Sequence, residues 1–319
     1  MIPQQDAFPP GLDYRSRWVD LDGPVHYLDF GGPADGPTVV CVHGLSGSAV
    51  NWSAIAPLLI DRCRLLAPDL AGHGLTRSMG RGTRVTANRV LLHRFIDAMA
   101  DGPVILMGNS MGGLISLLEA SSAPDAVAGL VLLDPVLPFV PTRPDPAVAA
   151  MIALYSVPGL NQVLMARRRR MSPEALVAGT LSLCCVDADR VPADVVAEHV
   201  AVARRRVPFT DANRDLVVAA RSTFAASSHL GGFPYRRRNR SISAPVLLLH
   251  GDRDRLVPLA AARSAARDNP SWSLVVLPGV GHVPQLEVPQ DTAAAVLGWL
   301  DSAGRDAARE ATPRSSAAS

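Results

Sequence analysis

The chain has 319 residues, 48% hydrophobic and 19% charged, with a formal net charge of +2. That length and apolar content supply a sizeable core for one large or two modest globular domains. The near-neutral balance excludes nucleic acid as a default partner, although every basic residue is an arginine.

The four cysteines, Cys41, Cys63, Cys184 and Cys185, have a spacing that fits neither a disulfide framework nor a zinc site. The first residues, "MIPQQDAFPPGLDYRSR", lack the basic and apolar regions of a secretory signal. Apolar stretches elsewhere are broken well short of the roughly 18 to 20 residues that a spanning helix needs. The expectation is a cytoplasmic protein without a membrane span.

In chain order, a hairpin is predicted at residues 17–30, followed by the strand-like runs "GPTVVCVHG" and "CRLLAPDLAGHG". A helix with Val85, Leu91, Leu92, Phe95, Ile96 and Met99 on one face is predicted at 85–99. "GPVILMGNS" is the next strand, then a helix at 112–122, then the strand "VAGLVLLDP". "APVLLLHGD", a helix at 259–268 and "SWSLVVLPG" complete the pattern. Apolar runs bounded by turn residues and alternating with helices predict an α/β fold whose mostly parallel sheet is flanked by helices.

Between residues 136 and 242 the alternation stops. This block opens with the proline-rich "DPVLPFVPTRPDP" and carries helical patterns at 145–155, 172–185 and 192–206. Connections inside compact domains usually run about 2 to 6 residues, so an inserted helical lid is expected here. The division is therefore a core of residues 1–135 and 243–303, a lid of 136–242, and a disordered tail of 304–319 without apolar periodicity. The lid holds 15 arginines against 8 acidic residues, whereas the remainder is net acidic.

"GNSMG", residues 108–112, meets the G-x-S-x-G pattern between a predicted strand and a predicted helix. On so sharp a turn, side chains at 108 and 112 would collide with neighbouring chain, and Ser110 is lifted above the carboxyl edge of the sheet. The Met111 N–H then sits at the positive end of a helix, suited to stabilising an oxyanion. A serine hydroxyl needs a base to take its proton and a third group to orient that base. Of the eight histidines only His282, in "LPGVGHVPQLEVP", lies beyond the last strands. Asp252 and Asp254 in "HGDRDRLVP" are candidate acids; Asp254 lies further into the loop, while Asp252 suits a turn cap. Asp134 in "VLLDP" is a third candidate. "VHGLSGS" offers the Leu45 N–H as a second oxyanion donor, with His43 there hydrogen-bonding local backbone.

The ordered set "HGLSGS", "DLAGHGLTRS", "GNSMGG", "HGDRDRLVP" and "GHVPQLE" resembles the α/β-hydrolase superfamily over residues 17–135 and 243–301. The resemblance implies a Ser110–Asp254–His282 triad with the Leu45 and Met111 N–H groups as oxyanion hole, and no cofactor or metal. Serine at 110 departs from the haloalkane-dehalogenase and epoxide-hydrolase branches, which use aspartate there. "GNSMGG" is similar to the meta-cleavage-product hydrolases that cut carbon–carbon bonds. The chain lacks their Gly-rich oxyanion loop and has Val283 where they carry tryptophan, which puts carboxylic ester or thioester hydrolysis first. A slow-turnover small-ligand receptor and a cofactor-free oxygenase or perhydrolase are the alternatives of the same fold. Substrate contacts are expected from His43, Asn109, Leu137, Phe139, Phe209 and Phe233, and the lid arginines suit an anionic substrate.

Overall fold

The computed structural model describes residues 15–138, 140, 146, 148–150, 157, 159–227, 239–302 and 305–312. Strands β1 (Arg15–Asp20) and β2 (Pro24–Gly31) form the hairpin expected at 17–30. Then come β3 (Thr38–Val42), β4 (Arg64–Pro68), β5 (Val104–Asn109), β6 (Val127–Leu133), β7 (Val246–Gly251) and β8 (Ser273–Leu277). They form one sheet in the order β1-β2-β4-β3-β5-β6-β7-β8, antiparallel at β1/β2 and β2/β4 and parallel from β4 onward.

The central strands are buried on both faces, and their side chains alternate between two cores. Val40, Val42, Leu106, Leu130, Leu132 and Leu248 join the layer under helices α1 (Val85–Met99) and α2 (Met111–Ser122). Cys41, Met107, Val131, Leu133 and Leu249 join the opposite layer with Trp52 and Trp299. Each such fully buried aliphatic side chain contributes about 1.5–3 kcal/mol.

The chain between β6 and β7, which pair directly, contains α3 (Leu160–Arg168), α4 (Pro173–Cys184), α5 (Ala193–Arg206) and α6 (Ala212–Ser227). Two match the helical patterns expected at 172–185 and 192–206; α4 opens on Pro173, with the Ser172 side chain accepting from Ala175 N–H at 3.2 Å. Helices α3 and α6 were not read from the sequence. Of 145–155 only residues 146 and 148–150 are described, and these are helical.

Helix α7 (Leu259–Asp268) follows the expected range, and α8 (Pro284–Glu287) and α9 (Pro289–Leu300) follow β8. The disordered tail expected from 304 is corrected over the described residues 305–312. There α10 (Arg305–Glu310) buries Ala307 against the sheet, and Thr38 N–H donates to Ala311 O at 2.9 Å. A Cβ on Gly129 would sit 2.8 Å from the Ala307 methyl, so the helix docks on bare backbone and needs only alanine to pack.

Candidate active site

Ser110 occupies the break between β5 and α2 with φ 54° and ψ −117°, a conformation that costs a non-glycine residue energy. The neighbours show why the chain accepts it. A Cβ on Gly112 would lie 2.0 Å from Val42 O, and one on Gly108 would lie 2.7 Å from Gly112 O. Asn109 and Met111 are buried on either side, whereas Ser110 keeps partial exposure.

Asn109 is a strut. Its side-chain amide donates to Leu133 O at 2.9 Å and to His282 O at 3.0 Å, tying the turn to β6 and to the loop after β8. His282 N–H donates to Cys184 O at 2.6 Å, so the end of α4 also holds this loop. Glu287, fully buried, completes the clamp by accepting from Gly281 N–H and from the N–H groups of Val186 and Asp187. Sequence motifs pointed to none of these bonds, and three of the six join residues 100 or more apart in the chain.

Within the loop, His282 Nδ1 hydrogen-bonds Asp254 Oδ2 at 2.8 Å. Asp254 Oδ1 accepts from Leu256 N–H at 2.7 Å and Val257 N–H at 3.1 Å. Burial opposes its ionisation, but the facing His282 and these bonds outweigh it and hold the carboxyl below the usual aspartate range. An ionised Asp254 accepts the Nδ1 hydrogen and leaves Nε2 as the basic nitrogen of His282.

The other two acids occupy different environments. Asp252 is exposed and accepts from Gly279 N–H at 2.7 Å, as a turn cap does. Asp134 is fully buried with φ 44°, and its Oδ1 accepts from Gly251 N–H at 2.9 Å. Burial and then the adjacent Asp254 push its carboxyl well above the usual range, so Asp134 keeps its proton. Donor atoms of Asp134, Asp254 and His282 lie within 4.8 Å of one another, the arrangement closest to a cation site among the described residues. Asp254 Oδ2 and His282 Nδ1 already bond each other there, and Asp134 Oδ1 accepts from Gly251 N–H. His250, which sequence reasoning passed over, lies behind the pair; its Nε2–H donates to Val257 O at 2.9 Å and sits 3.6 Å from both carboxylates.

On the opposite side, a Cβ on Gly44 would come 3.1 Å from Ser110 Cβ, so the loop after β3 passes directly over the serine. Among the described residues neither the Leu45 nor the Met111 N–H has an acceptor, and Met111 is the first residue of α2. His43 is fully buried, with Nδ1–H donating to Gly44 O at 2.8 Å and Nε2 accepting from Leu70 N–H at 3.1 Å. Both ring nitrogens are committed to backbone, which corrects the expectation that His43 contacts substrate.

These segments converge on a cavity of about 930 Å³ lined by Ser110, His282, Leu45 and Asn109. Leu137 and Phe209 are on its wall as expected, together with Leu181 and Leu286. Phe139 and Phe233 lie outside the described residues. No described helix is long and apolar enough to cross a membrane.

A sequence profile of the alpha/beta hydrolase fold matches residues 37–289. The pimeloyl-[acyl-carrier protein] methyl ester esterase of Aromatoleum aromaticum is 30% identical over 269 residues, covering 82% of this chain and 96% of its own. The 2-(acetamidomethylene)succinate hydrolase of Mesorhizobium japonicum is 26% identical over 267 residues, covering 84% and 89%. A 2-hydroxy-6-oxo-6-phenylhexa-2,4-dienoate hydrolase from Rhodococcus sp. strain RHA1 superposes with a TM-score of 0.72 at 22% identity, over 91% of this chain and 99% of that one. Further relatives include haloalkane dehalogenases and a lipase. With its mostly parallel sheet, the turn at Ser110 and a profile match over most of its length, the chain belongs to the alpha/beta hydrolase family.

Proposed function

We propose that this protein hydrolyses a carboxylic ester or thioester through an acyl-enzyme formed on Ser110. The observation that carries the proposal is the 2.8 Å His282–Asp254 hydrogen bond on the same cavity as a serine at φ 54°. His282 Nε2 takes the Ser110 proton as Oγ attacks the carbonyl carbon, and the Leu45 and Met111 N–H groups receive the oxyanion. The tetrahedral adduct collapses, and the leaving alcohol or thiol takes the proton back from His282. Water then attacks the acyl-serine with the same base and releases the acid. Each oxyanion donor lowers the barrier by about 3 kcal/mol, roughly a hundredfold or more in rate.

The likeness of "GNSMGG" to carbon–carbon bond hydrolases rests largely on Asn109, and the two carbonyls that Asn109 ties together account for that residue without reference to the reaction. The test is a panel of p-nitrophenyl esters of graded chain length, with a thioester and a vinylogous diketone, against Ser110→Ala as blank. Ester or thioester turnover that vanishes in the variant supports the proposal. Turnover of the diketone alone, or equal ester turnover by both proteins, contradicts it.

A further inference from the structure

The described wall of the cavity carries Arg168, Arg169, Arg206 and Arg255 but one carboxylate, Asp254, which is held by His282 and two backbone N–H groups. Arg169 and Arg255 are exposed to solvent, so the charges the chamber has to accommodate are those of Arg206 and half-exposed Arg168. Two of these side chains are fixed. Arg206, at the end of α5, donates from both terminal nitrogens to the carbonyls of Gly72 and Gly74, and its guanidinium lies 5.9 Å from the Phe209 ring centre. Arg168, at the end of α3, donates to Ser46 Oγ at 3.2 Å, one residue beyond Leu45.

The two cations act on each other. Burial disfavours the charge of Arg206; Asp69 favours it, the Arg168 charge disfavours it by less, and Asp215 and Asp211 favour it. Among the described residues, none pairs with Arg206 as a carboxylate within 4 Å, and none so pairs with Arg168. Backbone carbonyls and a hydroxyl satisfy part of the donor capacity and supply no direct ion pair. Beside them His73 has Nδ1–H on Ala71 O at 3.1 Å, and its buried Nε2 has no partner; burial, then the neighbouring His43 and Arg206, lower its pKa to about 3. A neutral imidazole leaves the arginines' charge in place.

We infer that Arg168 and Arg206 form an anion subsite of the cavity, and that the substrate is an ester carrying a free carboxylate, such as the half-ester of a short dicarboxylic acid. The inference rests on the ester-hydrolase proposal and names the substrate class for the same site. A guanidinium receives a carboxylate with two parallel N–H···O bonds, which makes the pair a recognition element as well as a point charge.

The experiment compares methyl hydrogen glutarate with methyl pentanoate, in which a methyl replaces the carboxylate, by methanol release. Wild type, Arg168→Gln and Arg206→Gln are assayed, and glutarate binding is titrated by calorimetry on the same proteins. Wild type should favour the anionic ester in kcat/KM by tenfold or more, and either variant should cut that preference at least tenfold, chiefly through KM. Glutarate binding should weaken by a similar factor. Equal kcat/KM for the two esters in wild type, or a preference unchanged in a folded variant, overturns the subsite. Half-exposed Arg168 decides the matter alone if Arg206→Gln does not fold, since Arg206 also anchors α5. If neither methyl ester turns over, the hydrolase proposal is decided separately by the p-nitrophenyl ester and thioester panel. Glutarate binding that weakens in Arg168→Gln then still supports the subsite, and no binding by wild type overturns it.

Discussion

Asp134 and Asp254 are chemically identical and sit side by side, yet their surroundings assign them opposite protonation states. Asp254 faces an imidazole and two N–H donors, so it ionises; Asp134 is fully buried beside the Asp254 charge, so it does not. Asp254→Asn removes the charge that orients His282 and should lower kcat by about 10³–10⁴ in ester hydrolysis. Asp134→Asn keeps an acceptor for Gly251 N–H, supplies an amide donor towards Asp254, and suits the positive φ. The sign follows from the raised pKa. In the unfolded chain this carboxyl ionises near pH 3.9, whereas the folded protein retains the proton, so native stability drains away as pH rises from there through the folded value. Asp134→Asn is expected to exceed wild type in stability at pH 7 and to converge with it near pH 4, measured by urea unfolding across that range. A loss of activity as large as that of Asp254→Asn would instead make Asp134 the working acid.

At the scale of elements, the Ser110 turn and the attachment of α5 are the two junctions on which the site depends. Gly112→Ala forces a methyl into the Val42 carbonyl and should cost about 3 kcal/mol or more, while Gly102→Ala, whose Cβ would meet nothing within 4 Å, should stay within about 0.5 kcal/mol. Urea unfolding of the two variants checks the contrast. On α5, Glu198 is fully buried, accepts from Ser53 Oγ at 2.6 Å, and leaves Oε1 unpartnered. Burial raises its pKa to about 7. As with Asp134, a raised carboxyl pKa means stability lost as pH climbs, here between about 4.5 and 7. Glu198→Gln should remove that slope and gain up to about 3 kcal/mol over wild type by pH 8, read from unfolding midpoints at pH 5 and pH 8.

For the whole molecule, the sheet was legible because its strands are short apolar runs closed by turn residues, and α1, α2 and α7 because their apolar spacing is helical. Ser110, Asp254 and His282 were legible by position, since each follows a strand at the carboxyl edge. Helix α10 was not, because the surface it docks on requires only Ala307 and Ala311 and so leaves no hydrophobic periodicity. Nor were Arg168 and Arg206 distinguishable from other arginines in "RRRR" and "RRR". Their common place on the cavity wall depends on where two helices end. The closeness of Asp134 to Asp254 likewise arises from two strand ends meeting across the β6/β7 pair. A covalent readout at Ser110 reaches the central claim with the fewest assumptions about substrate: incubation with a fluorophosphonate, intact-mass measurement and peptide mapping. A single adduct on Ser110 is expected, formed far more slowly in Asp254→Asn and absent in Ser110→Ala; no adduct on the folded protein, or one that persists in Ser110→Ala, would contradict a serine mechanism at this site.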